Sequence, residues 1–273
     1  MLFALVNGQP ATAISVQERG LAYGDGLFET LKVAAGHLCF WSYHWLRLQQ
    51  GMQRLGMLIP VDFEDQLLAD IRRALASVQE PDLVLKLIIT RGAGGRGYLA
   101  TTDLELTRVV MLSQHKPMER AQRRQGIKVG LCQTALARQP LLAGIKHLNR
   151  LEQVLARREW AATDWQEGLV CDTQANLVSG TLSNVFLFLD GRWQTPSIEY
   201  AGIAGTRRRW VLERWPVQEN QLLAEQFQAV EQGFICNALM GIVPIAELAG
   251  RQLLVTEQIL SLQAALEKSE QSC

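Results

Sequence analysis

Along the first forty residues, apolar and polar positions alternate in short runs. Residues 2–6, "LFETLKV" (27–33) and "HLCFW" (37–41) read as strands joined by turns, and Asn7-Gly8 is the strongest hairpin signal among them. The period then lengthens to that of helices. Ser42 can cap a helix running to about Leu55, and "VDFEDQLLADIRRALASV" forms a second with Asp62 as its cap. "LVLKLIIT" (83–90) and "LTRVVML" (106–112) return to strand, so the first region is α+β.

Residues 114–126, "QHKPMERAQRRQG", combine proline, glycine and charge between two apolar strands. A domain boundary is expected there, dividing an N-terminal α+β domain (1–115) from a C-terminal one (116–273). Beyond it the pattern predicts strands near 127–133, 167–173, 184–190, 233–237 and 241–246. Helices are predicted near 148–162, 206–214 and 256–268.

With 273 residues, 48% of them hydrophobic, the chain is long enough for two cores. Its 27 basic and 27 acidic residues cancel, which gives no electrostatic argument for nucleic acid or an anionic membrane as partner. No stretch has the apolar length of a membrane span. The start, "MLFALVNGQP", has too short an apolar run and no basic lead for a signal peptide. Five scattered cysteines (Cys39, Cys132, Cys171, Cys236, Cys273) suggest neither a zinc site nor a disulfide framework, so a cytoplasmic location is expected.

Several motifs carry possible chemistry. "RGAGGRGY" (91–98) matches G-x-G-x-x-G at Gly92, Gly94 and Gly97, but the polar "YLATTDLELT" follows where a nucleotide site needs a helix. A glycine hairpin carrying Arg91 and Arg96 is the better reading, with guanidiniums able to grip a carboxylate. The four histidines (His37, His44, His115, His147) lack metal spacing, and no G-x-S-x-G is present. "TRRR" (206–209) after Gly205 reads equally as a solvated basic face or as an anion site at a helix start. Lys146, in "AGIKHLNRLEQVLAR" (143–157), precedes a predicted helix whose apolar face is Leu148, Leu151, Val154 and Leu155. The helix dipole and a partly apolar setting would lower its pKa toward the neutral amine of Schiff-base chemistry; the alternative is a solvated lysine near a helix start.

These residues, with "YGDGLFET" (23–30), "HWLRL" (44–48) and "ICNALMGIVP" (235–244), closely resemble the 4-amino-4-deoxychorismate lyases. Those enzymes are a branch of the fold type IV pyridoxal-phosphate enzymes, with the branched-chain and D-amino acid aminotransferases. The resemblance implies a two-domain α+β homodimer with pyridoxal 5'-phosphate between its domains, and Lys146 as the catalytic Schiff-base lysine of the C-terminal domain. It further implies that Arg47, Gly205, Thr206 and Arg207 bind the cofactor phosphate, with Asn184 and Ala238 also at the cofactor. Thr30 would lie near the reacting carbon, and Arg96 and Asn237, with Arg91 and Tyr98 of the same glycine loop, would hold the substrate, 4-amino-4-deoxychorismate.

One position departs from that family. Where most members have a glutamate bonded to the pyridine nitrogen, Ser179 stands. A hydroxyl supplies no compensating negative charge, so the ring should be a weaker electron sink, unless a carboxylate such as Glu152 or Glu167 moves in. That weakens the case for transamination more than for elimination. The expected activity is β-elimination of pyruvate to give 4-aminobenzoate, a folate precursor; the alternatives are a fold type IV aminotransferase or an impaired family member.

Overall fold

The structure, a computed structural model, describes residues 1–101 and 104–271. The described residues form two compact units: Met1–Lys116 with Ile145–Asn149, and Pro117–Gly144 with residues 150–271. No helix among the described residues is long and apolar enough to cross a membrane.

In the first unit the elements run β1 (Phe3–Val6), β2 (Gln9–Pro10), α1 (Arg19–Tyr23), β3 (Gly26–Ala34), β4 (His37–Leu38), α2 (Trp41–Arg54), α3 (Phe63–Ala76), β5 (Asp82–Thr90) and β6 (Thr107–Gln114). The strands form one sheet in the order β2-β1-β6-β5-β3-β4, antiparallel throughout. Strand β3 alternates strictly: Leu27, Leu31 and Val33 are buried with Leu85 and Leu87 of β5 and Leu48 and Met52 of α2, while Phe28, Thr30 and Lys32 occupy the other face. Each fully buried leucine contributes roughly 1.5–3 kcal/mol, which is why register here is well specified.

Residues 145–149 join this sheet. Phe28 N–H donates to Lys146 O at 2.9 Å and Leu148 N–H to Gly26 O at 3.0 Å, around a bridge between Leu27 and His147. Gly26 permits the approach, since a Cβ there would press on Ile89 O at 2.7 Å and Leu148 Cδ1 at 2.8 Å. The lysine segment thus belongs to the N-terminal unit, a correction to its assignment to the C-terminal domain.

The second unit contains α4 (Arg120–Gln125), β7 (Ile127–Leu131), α5 (Leu151–Glu159), β8 (Glu167–Cys171), β9 (Leu177–Gly180), β10 (Asn184–Leu189), β11 (Arg192–Pro196), α6 (Thr206–Leu212), β12 (Val217–Asn220), a 3-10 turn at Ala224–Ala229, β13 (Gln232–Asn237), β14 (Gly241–Leu248), β15 (Arg251–Gln252) and α7 (Glu257–Gln271). Its sheet runs β12-β11-β10-β13-β14-β7-β8-β9, with β15 paired to β14. Ile127, Val129, Leu169, Val185, Leu187, Ile235, Val243 and Ile245 fill its core.

Three local expectations are corrected. Helix α2 starts at Trp41 behind Phe40, a left-handed residue with φ of 58°, so Ser42 lies inside the first turn and does not cap it. Asp62 precedes α3 as expected, but its carboxylate accepts from Gln66 Nε2 at 2.9 Å, not from the backbone. Helix α5 begins only at Leu151, and the face expected to be buried is open: Leu151, Val154 and Leu155 are 77%, 52% and 51% exposed, while Ala156 is buried.

One charge cluster pins α2 to the sheet. Glu29, buried on β3, takes Arg47 Nε at 2.8 Å on one oxygen, and Arg47 Nη2 at 2.5 Å and His44 Nδ1 at 2.6 Å on the other. Burial alone would push its pKa up, but the Arg47 charge and His44 outweigh it and hold the carboxyl down from 4.5 to about 2. A carboxyl depressed in the folded state stabilises the fold at pH above its ordinary value, and that contribution fades as pH falls from 4.5 toward about 2. Glu29→Gln is therefore expected to cost about 3 kcal/mol or more at neutral pH, by leaving Arg47 facing a neutral partner. Urea midpoints measured against pH should converge with those of the parent in the acid window; parallel curves would refute the assignment.

Candidate functional site

In the first unit the site is built on the face of β3 opposite Glu29. Lys146, half-buried in an extended segment, places Nζ 4.2 Å from the centroid of the Phe28 ring. Thr30, the next residue on that face, is half-buried. Opposite it in register stands Lys86 of β5, whose Nζ lies 5.7 Å from the same ring. Two amines and a hydroxyl around one aromatic ring form a surface suited to an anion with an apolar body. Because α5 begins five residues after Lys146, the helix-dipole argument for its reactivity fails; the effect dies within the first turn.

Lys86 was missed in the sequence. The signal was a lysine in the otherwise apolar "LVLKLIIT", on the face set by the alternation of β3.

The glycine loop after β5 is held, not loose. Arg91 Nε donates to Asp25 Oδ2 at 2.8 Å, and its two terminal nitrogens donate to Gly56 O at 3.1 Å and Leu55 O at 2.6 Å, so its guanidinium is committed to the protein and not presented as a fork for a carboxylate. Asp25 also accepts Arg19 Nε at 2.9 Å. Burial works against this carboxylate, but Arg91 and Arg19 together hold it below the usual range. Gly92 has φ of 95°, and a Cβ there would overlap Glu105 O, which accounts for this glycine. Arg96 is exposed at the loop tip; Tyr98, 88% exposed, packs edge-on against Tyr23 with centroids 5.5 Å apart.

Arg47 is oriented by Glu29, on the face of the β3 pleat away from Thr30.

In the second unit, Gly205 precedes α6 and has no side chain to cap it. A Cβ on Gly205 would overlap Asn184 Oδ1, and Asn184 Nδ2 donates to Ile203 O at 3.0 Å, so the asparagine supports the turn leading into the helix. Thr206 and Arg207 follow, both buried. The Arg207 side chain is internal, donating from Nε to Glu270 Oε1 at 2.9 Å and from Nη2 to Ala238 O at 3.1 Å. This leaves the backbone of Arg207, not its side chain, for an anion at the helix start. Asn237 also serves its own turn, with Oδ1 accepting from Leu239 N–H at 2.9 Å and Met240 N–H at 2.8 Å, and Nδ2 donating to Leu182 O at 3.2 Å.

Ser179 Oγ donates to Gly180 O at 2.8 Å. Both carboxylates expected as substitutes bond elsewhere. Glu152 accepts Ala137 N–H at 2.8 Å. Glu167, buried, takes five donors: the N–H groups of Gly168, Thr181 and Leu182, and the hydroxyls of Thr181 at 2.5 Å and Ser183 at 2.8 Å. It fixes the turn between β9 and β10. Among the described residues, no group of three or more His, Cys, Asp or Glu is placed to hold a metal ion.

An uncapped helix start behind a glycine that a Cβ would displace, and a lysine amine beside an aromatic ring, are features that fit a phosphate-bearing aldehyde cofactor; Ser179 fits its ring nitrogen less well.

Comparison with known proteins identifies the family. Residues 26–248 match the model of amino-transferase class IV. The aminodeoxychorismate lyase of Vibrio harveyi is 32% identical over 88% of this chain and 89% of its own length. The crystal structure of 4-amino-4-deoxychorismate lyase from Pseudomonas aeruginosa superposes with a TM-score of 0.90 at 39% identity, covering 97% of this chain and 98% of that one. A branched-chain aminotransferase from Thermoproteus uzoniensis, at 18% identity and a TM-score of 0.85, has the same fold. The chain belongs to the amino-transferase class IV family.

Proposed function

We propose that this protein is a pyridoxal-phosphate-dependent 4-amino-4-deoxychorismate lyase, releasing pyruvate and 4-aminobenzoate. The observation that carries the proposal is the face of β3 and β5 on which Lys146, Thr30 and Lys86 gather around Phe28. The likeness to lyases of Vibrio harveyi and Pseudomonas aeruginosa supports it.

Pyridoxal phosphate, held by Lys146 until the substrate amine takes the lysine's place, would supply the electron-withdrawing ring that acidifies the C–H of the carbon bearing the amine, with the Lys146 amine then set free as a base. Lys146 Nζ takes that proton. The adjacent ring carbon then loses its C–O bond, the oxygen leaves as the enolate of pyruvate, which takes up a proton on carbon equivalent to the one removed by Lys146, and the ring becomes aromatic. Thr30 offers a hydroxyl to the departing oxygen, and Lys86 and Arg96 hold the substrate carboxylates. Tyr98 shapes the loop that carries Arg96, and Arg91 acts only through that loop; Asn237 is occupied by its own turn after β13. The backbone at Gly205, Thr206 and Arg207 would hold the cofactor phosphate, and Asn184 and Ala238 fix that cradle; Arg47, expected at the phosphate, is spent on Glu29 and braces α2 instead.

Ser179 favours elimination over transamination. With its hydroxyl turned to Gly180 O, Ser179 supplies no charge for a protonated ring nitrogen, and Glu167 is already engaged by its five donors. Elimination discharges the carbanion into a leaving group at once, whereas transamination must hold it until it is reprotonated elsewhere.

The protein would act as a homodimer in the cytoplasm. The open face of α5, with Leu151, Val154 and Leu155 at helical spacing, is the support for the dimer, and the cysteines among the described residues, all free, agree with a reducing compartment.

Supplied with pyridoxal phosphate and 4-amino-4-deoxychorismate, and no amino acceptor, the protein should form pyruvate and 4-aminobenzoate in equal amounts. Absence of both, with conversion of the cofactor to its amine by an amino acid, would instead identify an aminotransferase. Lys146→Ala should abolish turnover, and a near-normal rate in that variant would remove the lysine from the mechanism. Gly205→Ala should weaken cofactor retention about tenfold or more in equilibrium dialysis, because the Cβ forces apart the turn and Asn184. Leu151→Asp with Leu155→Asp should shift sedimentation from dimer to monomer; an unchanged dimer would place the interface elsewhere.

A further inference from the structure

Among the buried, charged side chains that the mechanism does not use, Arg19 is tied to the glycine loop. Arg19, in the short helix α1, is only 3% exposed, and its guanidinium reaches three places. Nε donates to Asp25 Oδ2 at 2.9 Å, Nη1 to Gly97 O at 3.0 Å and Nη2 to Tyr98 O at 2.7 Å. Gly97 and Tyr98 directly follow Arg96. The other end of the loop is gripped by the same carboxylate, through Arg91 Nε at 2.8 Å. Asp25 is therefore a shared anchor for two arginines that bracket the glycine loop.

The backbone repeats the attachment. Arg19 N–H donates to Gly92 O at 3.0 Å, Gly94 N–H to Gln17 O at 3.1 Å, and Glu18 bridges Ala93. Gly97 N–H donates to the Tyr23 hydroxyl at 3.2 Å. Gly94 allows the Arg19 stem to pass, since a Cβ on it would stand 3.0 Å from Arg19 Cδ. A loop containing four glycines would otherwise be costly to order when substrate arrives.

We propose that Arg19, anchored by Asp25, is a positioning residue that holds the glycine loop in place before substrate binds, so that Arg96 is presented without an ordering cost. The proposal rests on the reading of Arg96 as a substrate-carboxylate grip. Arg19 touches no substrate in this scheme; it acts through the Gly97 and Tyr98 carbonyls. Removing it frees the loop tip, and the entropy of ordering is then charged against binding.

Trypsin reads the state of the loop directly, because Arg96–Gly97 is a cleavable bond at its tip. Full-length, cofactor-loaded protein would be digested briefly, and cleavage after Arg96 compared by mass spectrometry with cleavage after the exposed Arg192. In Arg19→Met the Arg96-to-Arg192 ratio should rise about tenfold, with the KM for 4-amino-4-deoxychorismate raised about tenfold, kcat within about twofold, and cofactor absorbance unchanged. Asp25→Asn is the second variant should Arg19→Met fail to fold, and it should show the same pattern, while Arg19→Lys should recover part of the effect. An unchanged ratio, or equal acceleration at both bonds, would overturn the proposal. A raised ratio with unchanged KM would uphold Arg19 as the tether and remove Arg96 from substrate binding.

Discussion

Everything at the site follows from two main-chain hydrogen bonds, Phe28 N–H to Lys146 O and Leu148 N–H to Gly26 O. They turn a loop into an extra length of sheet at the edge of β3, and strand pleating then decides where each side chain points. Lys146 shares a face with Phe28 and Thr30, and His147 falls on the face of Leu27 and Glu29. A slip of one residue would exchange the two and send the amine toward α2. Gly26 is the residue that lets the strands approach closely enough for this register to form.

The buried charges obey one rule throughout: each is met by partners of fixed geometry. Glu29 with Arg47 and His44, Asp25 with two arginines, Arg207 with Glu270, and Glu167 with five neutral donors all satisfy the demand that an ion removed from water be compensated. Such groups add less to net stability than their number suggests. Their effect is to single out one arrangement of α2 on the first sheet, of the glycine loop on α1, and of α6 against the end of α7.

Much of this was legible in the sequence. The long strands β3, β5 and β6 carry enough alternation or apolar length to be read directly, and "RGAGGRGY" and "AGIKHLNR" are the segments on which the proposed site draws. Other features lay beyond it for physical reasons. Helix α1 spans five residues, too few for a periodic signal, and β9, β11 and β12 are of similar length. The apolar spacing of α5 was real, but the inference that it faced this chain's own core was not: periodicity marks a face that avoids water without naming what covers it. Which of several arginines is free and which is spent on an internal carboxylate depends on contacts between Asp25 and residues as far as Arg91, and no local pattern records that.

The path of the chain also constrains how this protein can be divided. The backbone leaves the first unit after Lys116 and returns to it for just five residues, Ile145–Asn149. A fragment ending at Lys116 would retain β3 with its edge unfilled, and one beginning at Pro117 would carry the lysine with no strand to dock it. Neither piece holds the Lys146 amine in place by itself, so a newly synthesised chain has to extend well past its first compact unit before that unit can be completed.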